Sequence, residues 1–240
     1  MCLQNLNVKF CMDRAGIVGG DGPTHHGLLD IAYLRGVPNM IAMAPKDEGE
    51  LRDMLYTMLE HQGPAAMRYP RGGGVGADIK RAPELLEIGK AEILRDANGG
   101  GEVAIIAYGS MAHPAAAAAA QLSKDGIEAT VVNARFVKPL DAGLLLALAR
   151  TKRLIVTVEE AYLAGGFGSA VAELLEENGL LDKVRFVRMG VPDRIITHGD
   201  PKLLLAKYGL DADGIYTRTR EAWEVLEERR AGRVKAEARP

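Results

Sequence analysis

Cysteine is scarce in this sequence. Among 240 residues there are two, Cys2 and Cys11, and both lie in the first segment. Such a pair excludes a disulfide framework and matches no metal-ligand spacing. We expect both to be small apolar side chains, as free cysteines usually are. The lack of a disulfide pattern is typical of a protein of the reducing cytoplasm.

A surplus of positive charge is also missing. Lysine and arginine number 30 against 32 aspartates and glutamates, so the formal net charge is −2. The sequence therefore predicts no binding of nucleic acid or of an anionic membrane surface. No apolar run approaches the ~18 residues of a membrane-spanning helix. Polar Gln4, Asn5 and Asn7 stand where a signal peptide would have its apolar core, so we expect no secretion signal.

The chain does contain an ordinary globular composition, 48% hydrophobic and 26% charged, arranged in an alternating pattern. Short apolar runs predict strands at 8–12, 40–43 and 65–69. A helix is predicted over 25–35, capped by the Thr24 hydroxyl, and another after the cap Asp47. This β-α-β-α-β order is typical of a parallel sheet. Because the order opens on a strand with no helix before it, we expect this sheet to be only part of a domain.

A glycine-rich, charged stretch at 72–88 separates this pattern from a second one. From Gly89 onward the pattern predicts strands at 103–108, 129–133, 154–159 and 184–189, and helices at 112–122, 142–149, 168–177, 201–208 and 217–229. The predicted fold class is α/β, a partial parallel sheet followed by a complete second α/β domain. The predicted boundaries are 1–76 for the first part, 77–88 for a linker, 89–228 for the second domain and 229–240 for a frayed tail.

The residues most suited to chemistry lie between the first strand and the first helix. There Asp21 and His25 flank Gly22 and Pro23, whose backbone preferences favour a tight turn. A carboxylate and an imidazole in such proximity can share a proton or hold the hydroxyl groups of a polar ligand. The alternative is a capping network, in which Asp21 accepts from loop amides and His25 is solvated. The pattern by itself leaves both interpretations open.

Two arginines, Arg14 and Arg71, each follow a predicted strand. Because the carboxyl ends of parallel strands meet at one edge of a sheet, both guanidiniums can lie there, and the pair would suit a phosphate. The alternative is a pair of solvated surface arginines. A third strand end, at Glu159 and Glu160, precedes a glycine-rich turn that matches no nucleotide-binding spacing, and we interpret that turn as structural.

Several blocks of the sequence, in order, resemble the 1-deoxy-D-xylulose-5-phosphate synthases, a thiamine-diphosphate-dependent family of the transketolase type. The resemblance runs from residue 1 to about residue 225. It rests on blocks at 33–40, 43–48, 68–72, 133–141 and 158–160 and on the loop Asp13-Arg14-Ala15-Gly16…Gly19-Gly20-Asp21-Gly22-Pro23-Thr24-His25. It implies that the first part is the latter half of a pyrimidine-binding domain and that the second is a transketolase C-terminal domain.

Members of this family join pyruvate to glyceraldehyde 3-phosphate with loss of carbon dioxide, for isoprenoid, thiamine and pyridoxal biosynthesis. The resemblance implies that Arg14 and Arg71 hold the acceptor phosphate. It also implies that Asp21 and His25 are catalytic residues beside the acceptor's hydroxyl and carbonyl groups. It implies thiamine diphosphate and magnesium as cofactors, and a homodimer, but identifies no cofactor-binding or metal residue on this chain. His26 stands where relatives often have a small residue, and we assign it no role.

The family pattern includes parts that this sequence does not show. Its Gly-Asp-Gly…Asn motif for diphosphate and magnesium, and the glutamate that activates the cofactor, match nothing here. We therefore expect the chain to be the C-terminal portion of such an enzyme, inactive without the N-terminal region as its partner. The alternatives are another thiamine-diphosphate enzyme, such as a transketolase or a 2-oxoacid dehydrogenase β subunit, and a non-catalytic assembly or regulatory module.

Overall fold

The computed structural model describes residues 1–97 and 101–237, which form two β-sheets with helices packed around them. The strands are β1 (Lys9–Met12), β2 (Ile41–Met43), β3 (Ala65–Arg68), β4 (Glu92–Arg95), β5 (Val103–Ala107), β6 (Ala129–Asn133), β7 (Phe136–Lys138), β8 (Leu154–Tyr162) and β9 (Arg185–Val191). The helices are α1 (Asp30–Arg35), α2 (Glu48–Glu60), α3 (Ala112–Lys124), α4 (Ala142–Thr151), α5 (Phe167–Glu177), α6 (Pro201–Lys207) and α7 (Ala212–Glu237). The predicted α/β class is confirmed.

The first sheet has the strand order β1-β3-β2-β7. Strands β1 and β2 run parallel to β3, which aligns Lys9 and Ile41 with Ala65 on either side. Every residue of β3 is buried, and Met54 and Met58 of α2 pack against Ala65 and Met67. Strand β7 pairs antiparallel with β2. Since β7 lies beyond the predicted linker at 77–88, the second part of the chain contributes a strand to the first sheet.

The second sheet has the order β4-β6-β5-β8-β9, in which β4 is antiparallel to β6 and the remaining pairs are parallel. Helix α3 packs on this sheet through Ala115, Ala118 and Ala119, which are fully buried. Such small side chains let a helix lie close to the strands beneath it. The buried face of α3 is therefore part of the hydrophobic core.

A buried carboxylate joins the two sheets. Glu50 on α2 is 3% exposed and accepts hydrogen bonds from Asn133 Nδ2 at 2.9 Å and Arg135 Nε at 2.7 Å. Lys46 Nζ contacts the same carboxylate at 3.1 Å. A buried charge is tolerated only with several such partners. These contacts tie α2 to the segment that connects β6 to β7.

The predicted helix over 25–35 is wrong in its first turn, because α1 begins at Asp30. The Thr24 hydroxyl lies 2.9 Å from His25 Nδ1 and caps no helix. Residues before Asp30 are held in a loop, since Gly27 exchanges backbone hydrogen bonds of 2.8 and 2.9 Å with Gly16. That long-range pairing overrides the local helix signal. Asp47 does cap α2 as predicted, by accepting from the Glu50 amide at 2.8 Å.

The main differences from the sequence prediction are two strands and the last helix, which begins at Ala212 and not at 217. Strands β4 and β7 were not predicted, because β4 is half-exposed and β7 spans only three residues. Helix α7 continues to Glu237, through most of the predicted frayed tail, because alanine, glutamate, arginine and lysine are strong helix formers. Residues 238–240 of that tail lie outside the described residues. Within 1–97 and 101–237, no helix is both long and apolar enough to cross a membrane.

Candidate active site

The loop between β1 and α1 is closed at its base by backbone pairing. Gly16 and Gly27 bond to each other, and the Ala15 amide donates to Tyr69 O at 2.9 Å. A side chain at Gly27 would place its Cβ 2.3 Å from Arg14 O, so only glycine allows the two ends to meet this closely. Residues 13–27 therefore form a compact loop at the carboxyl edge of the first sheet.

Two of the predicted site arginines converge on one carboxylate at this loop. Arg71 Nη1 contacts Asp21 Oδ2 directly, and Arg14 Nε lies 3.6 Å from the same oxygen. All three side chains face solvent, with exposed fractions of 54% for Arg71, 42% for Arg14 and 27% for Asp21. The hydrogen bond from Arg71 is the main reason why the pKa of Asp21 is lowered. In this exposed cluster of Arg14, Asp21 and Arg71, the Arg71 guanidinium bonds the Asp21 carboxylate, and the Arg14 guanidinium, which bonds Asp13, lies within ion-pair distance of the same oxygen.

His25 stands beside this exposed cluster. Its amide donates to Gly22 O at 3.0 Å, which closes the turn that the Gly22-Pro23 pair predicts. The imidazole is exposed, and its proximity contributes to the lowered pKa of Asp21. The structure therefore brings all four predicted site residues to one loop and one sheet edge.

A second arginine–aspartate pair lies directly beneath, and sequence reasoning missed it. Arg68 Nε contacts Asp30 Oδ2 at 2.7 Å, and both side chains are 5% exposed. The Arg68 Nη2 group also donates to Gly27 O at 3.0 Å and to Glu160 O at 3.1 Å. This guanidinium joins β3, the end of the loop and β8. The apolar strand before Arg68 and the arginine at its end were the only sequence signals, and neither distinguishes a buried pair from an exposed one.

The adjacent glutamates Glu159 and Glu160, near the C-terminal end of β8, have separate structural roles. Glu159 accepts from the amides of Phe167 and Gly168 at 2.6 and 2.8 Å, so it caps the N-terminus of α5. Burial raises the pKa of Glu159 to about 7. The first amides of α5 therefore already have an acceptor, in agreement with the structural role that we predicted for the glycine-rich turn before this helix. Glu160 instead accepts from Ile17 in the loop at 2.7 Å, and burial raises the pKa of this carboxyl as well.

His26 also has a contact that the sequence did not predict. Its Nδ1 atom accepts from the Val18 amide at 3.1 Å, so the imidazole is held against the loop backbone.

As for metals, no group of three or more His, Cys, Asp or Glu side chains that could hold an ion occurs among residues 1–97 and 101–237.

Two known family models together match most of the chain. The transketolase pyrimidine-binding domain model matches residues 1–74, and the transketolase C-terminal domain model matches residues 89–215. The first match covers the exposed cluster and His25. The second covers the strand that carries Glu159 and Glu160.

Curated relatives share much of this sequence. The chain is 56% identical over 92% of its length to 1-deoxy-D-xylulose-5-phosphate synthase 1 of Geobacter metallireducens, and 53% identical over 98% to the synthase of a Synechococcus strain. It spans about a third of the length of these relatives, 35% and 36% respectively.

Solved structures give the same picture of the fold. A split-gene transketolase, described as an inactive β4 tetramer, matches 92% of this chain and 68% of its own with a TM-score of 0.78 and 33% identity. A transketolase from Campylobacter jejuni matches 87% of this chain and 30% of its own, with a TM-score of 0.63 and 21% identity.

Proposed function

The chain belongs to the transketolase family, and from this premise we propose that it is the acceptor-binding portion of a 1-deoxy-D-xylulose-5-phosphate synthase. One observation carries the proposal, namely that Arg14 and Arg71 converge on a single anionic oxygen of Asp21. Identities of 53–56% to the synthases, against 33% to the split-gene transketolase, support the synthase over a transketolase.

In this proposal the two guanidiniums hold the phosphate of glyceraldehyde 3-phosphate. A phosphate ester carries more charge than the Asp21 carboxylate and offers several acceptor oxygens to the planar donors of arginine. Because the pairs that Asp21 makes are exposed, exchanging them for a ligand costs little. The Asp21 carboxylate, once released, can accept a hydrogen bond from an acceptor hydroxyl.

His25 is proposed to supply the proton that the reaction consumes. Pyruvate, glyceraldehyde 3-phosphate and one proton give the five-carbon product and carbon dioxide. The proton ends on the former aldehyde oxygen of the acceptor, and an imidazole beside that oxygen can donate it. Thiamine diphosphate, on which the family depends, supplies the chemistry that releases carbon dioxide from pyruvate. We assign no residue of this chain to thiamine diphosphate or to magnesium.

We also propose that the working enzyme is a cytoplasmic homodimer that includes further sequence. Its homologues span about three times the length of this chain. Strand β1 is the outer strand of the first sheet, and apolar side chains on or before it are exposed, namely Leu3, Leu6, Val8 and Phe10. Such an apolar edge suits burial against another part of the same enzyme or a second copy. The 240-residue chain alone is therefore expected to form no product.

The deciding experiment compares two donor substrates in the full-length enzyme that contains this chain. With glyceraldehyde 3-phosphate as the acceptor, pyruvate should release one carbon dioxide for each 1-deoxy-D-xylulose 5-phosphate formed. A ketose phosphate, the donor of a transketolase, should give no product. Ketol transfer without carbon dioxide release would contradict the synthase assignment. Steady turnover by the 240-residue chain with added cofactor and magnesium would contradict the need for further sequence.

A further inference from the structure

Glu160 reaches from the second sheet into the loop that carries the exposed cluster. It is 5% exposed, and its Oε1 atom accepts from the Ile17 amide at 2.7 Å. From this contact we infer that Glu160 is a positioning residue, which fixes the loop backbone between Arg14 and Asp21 and thereby sets affinity for the phosphorylated acceptor. The inference deepens the proposed function and rests on it for the identity of the acceptor.

The contact between the carboxylate and the loop is too close for any side chain to intervene. A Cβ added at Gly16 would lie 2.3 Å from Glu160 Cδ and Oε1, and Gly16 has a φ of +78° that favours glycine. The second oxygen, Oε2, accepts from Ser110 Oγ at 3.0 Å. Both oxygens of the Glu160 carboxylate therefore have a donor, Oε1 from the Ile17 amide and Oε2 from the Ser110 hydroxyl.

The loop is held from other directions too, so Glu160 acts on a backbone with little freedom. The next amide, Val18, donates to His26 Nδ1 at 3.1 Å. Further along, Gly19 O accepts from the Gly199 amide at 3.3 Å. The backbone from Ile17 to Gly19 is therefore anchored, while the side chains of Arg14 and Asp21 on either side stay exposed. A change at the anchor shifts the separation of those two groups.

Glu160 cannot act on the acceptor directly. Both its oxygens are bonded within the protein, and the side chain is buried beneath the loop. Its neighbour Glu159 is also buried on the same strand, but its carboxylate accepts from the first amides of α5. The two residues therefore form a matched pair, in which one carboxylate supports the loop and the other supports a helix.

The test compares Glu160→Ala, Glu160→Gln and Glu159→Gln in the full-length enzyme that contains this chain. Glu160→Ala should raise the KM for glyceraldehyde 3-phosphate about 10- to 100-fold, since small misplacements of binding groups have effects of this size. The KM for pyruvate should change little. Glu160→Gln keeps an oxygen acceptor for Ile17 and should recover most of the affinity. Glu159→Gln should leave the ratio of the two KM values unchanged.

The inference is overturned if Glu160→Ala changes both KM values equally, or if Glu159→Gln shifts their ratio as strongly. It is also overturned if Glu160→Gln is as impaired as Glu160→Ala. Should Glu160→Ala fail to fold, Ser110→Ala frees one end of the carboxylate and keeps the rest. Ser110→Ala should also raise the KM for glyceraldehyde 3-phosphate more than the KM for pyruvate. An unchanged ratio of these two KM values in Ser110→Ala would contradict the inference.

A measurement independent of activity separates this inference from the proposed function. In the 240-residue chain, Glu160→Ala or Ser110→Ala should speed amide hydrogen exchange at Ile17 and Val18, with no change at Phe167 and Gly168. Faster exchange in an enzyme that makes no 1-deoxy-D-xylulose 5-phosphate would reject the proposed function and keep the anchor. Unchanged exchange in an active enzyme would reject the anchor alone.

Discussion

Two arginine–aspartate pairs involve arginines only three residues apart, Arg68 at the end of β3 and Arg71 just after it. The two pairs have the same residue types but differ in burial and in contacts. Arg68 ends β3 and pairs with Asp30 at 5% exposure on both sides. Arg71 follows it and pairs with Asp21 at 54% and 27% exposure. The buried pair also holds the loop end and β8 through Gly27 O and Glu160 O. The comparison teaches that surroundings, and not residue type, separate a structural ion pair from a binding site.

The physical reason is the cost of removing charge from water. A buried guanidinium loses its hydration and depends on each fixed partner, so removing one partner leaves an uncompensated charge. An exposed pair keeps much of its hydration, and its net contribution to stability is small. Asp21 can therefore be replaced by a ligand anion at Arg71, whereas Asp30 cannot be replaced at Arg68.

The largest effect is expected from the exposed region, at His25. His25→Ala in the full-length enzyme should lower kcat by about 10²–10⁴-fold, the usual contribution of a general acid. Steady-state kinetics measure the change. His26→Ala should lower kcat far less, because its imidazole is held by the backbone amide of Val18. Equal losses of kcat in the two variants would show that the proton donor is misassigned.

The buried pair should dominate stability. Arg68→Ala leaves Asp30 buried without its partner and should lower the free energy of unfolding by about 3–5 kcal/mol. Urea denaturation of the 240-residue chain gives this value. Arg71→Ala is the matched control and should lower it by at most about 1 kcal/mol. If both variants lost the same stability, the distinction between a buried and an exposed pair would fail.

Arg71 should instead dominate acceptor binding. Arg71→Ala removes a charge-assisted hydrogen bond, worth about 1.5–3 kcal/mol, and should raise the KM for glyceraldehyde 3-phosphate about 10- to 100-fold. Arg14→Ala should behave in the same way, and the KM for pyruvate should change less in both variants. Kinetics with each substrate varied in turn measure this. Equal changes for the two substrates would contradict a phosphate site.

A buried carboxyl group, Glu159, and an exposed one, Asp21, should contribute differently to the pH dependence of stability. Burial raises the pKa of Glu159 from 4.5 to about 7. The folded state thus binds this proton more tightly than the unfolded state, and stability from this group falls as pH rises from about 4.5 to 7, then levels off. Relative to Glu159→Gln, the wild-type chain should lose roughly 1–3 kcal/mol across that window.

Asp21 supplies the contrast in the same titration. Its pKa is lowered by the hydrogen bond from Arg71, so its contribution is lost only as pH falls below its ordinary value of 3.8. Asp21→Asn should therefore follow the wild-type profile between about pH 5 and pH 8. Chemical denaturation at several pH values compares the three proteins. If the unfolding free energies of the wild type and Glu159→Gln changed in parallel with pH, the predicted titration of Glu159 would be wrong.

Local signals predicted most of the elements because they act over a few residues. Asp47 caps α2 as expected, and the apolar run before Tyr69 forms β3. The same local logic failed at 25–29, where pairing between Gly16 and Gly27 prevents the helix from starting at His25. It also missed β7, since three residues become a strand only because β2 lies beside them.

The sequence by itself determined the α/β alternation, the Asp47 cap of α2 and the placing of Arg14, Asp21, His25 and Arg71 near strand ends, because each of these follows from short-range periodicity and backbone preference. Tertiary structure alone decided which arginine is buried. It also decided that β8 supports the loop, since Glu160 and Ile17 are separated by 143 positions in the chain. No local pattern encodes a contact of that kind, because it forms only when two sheets pack and a carboxylate must find a donor away from water.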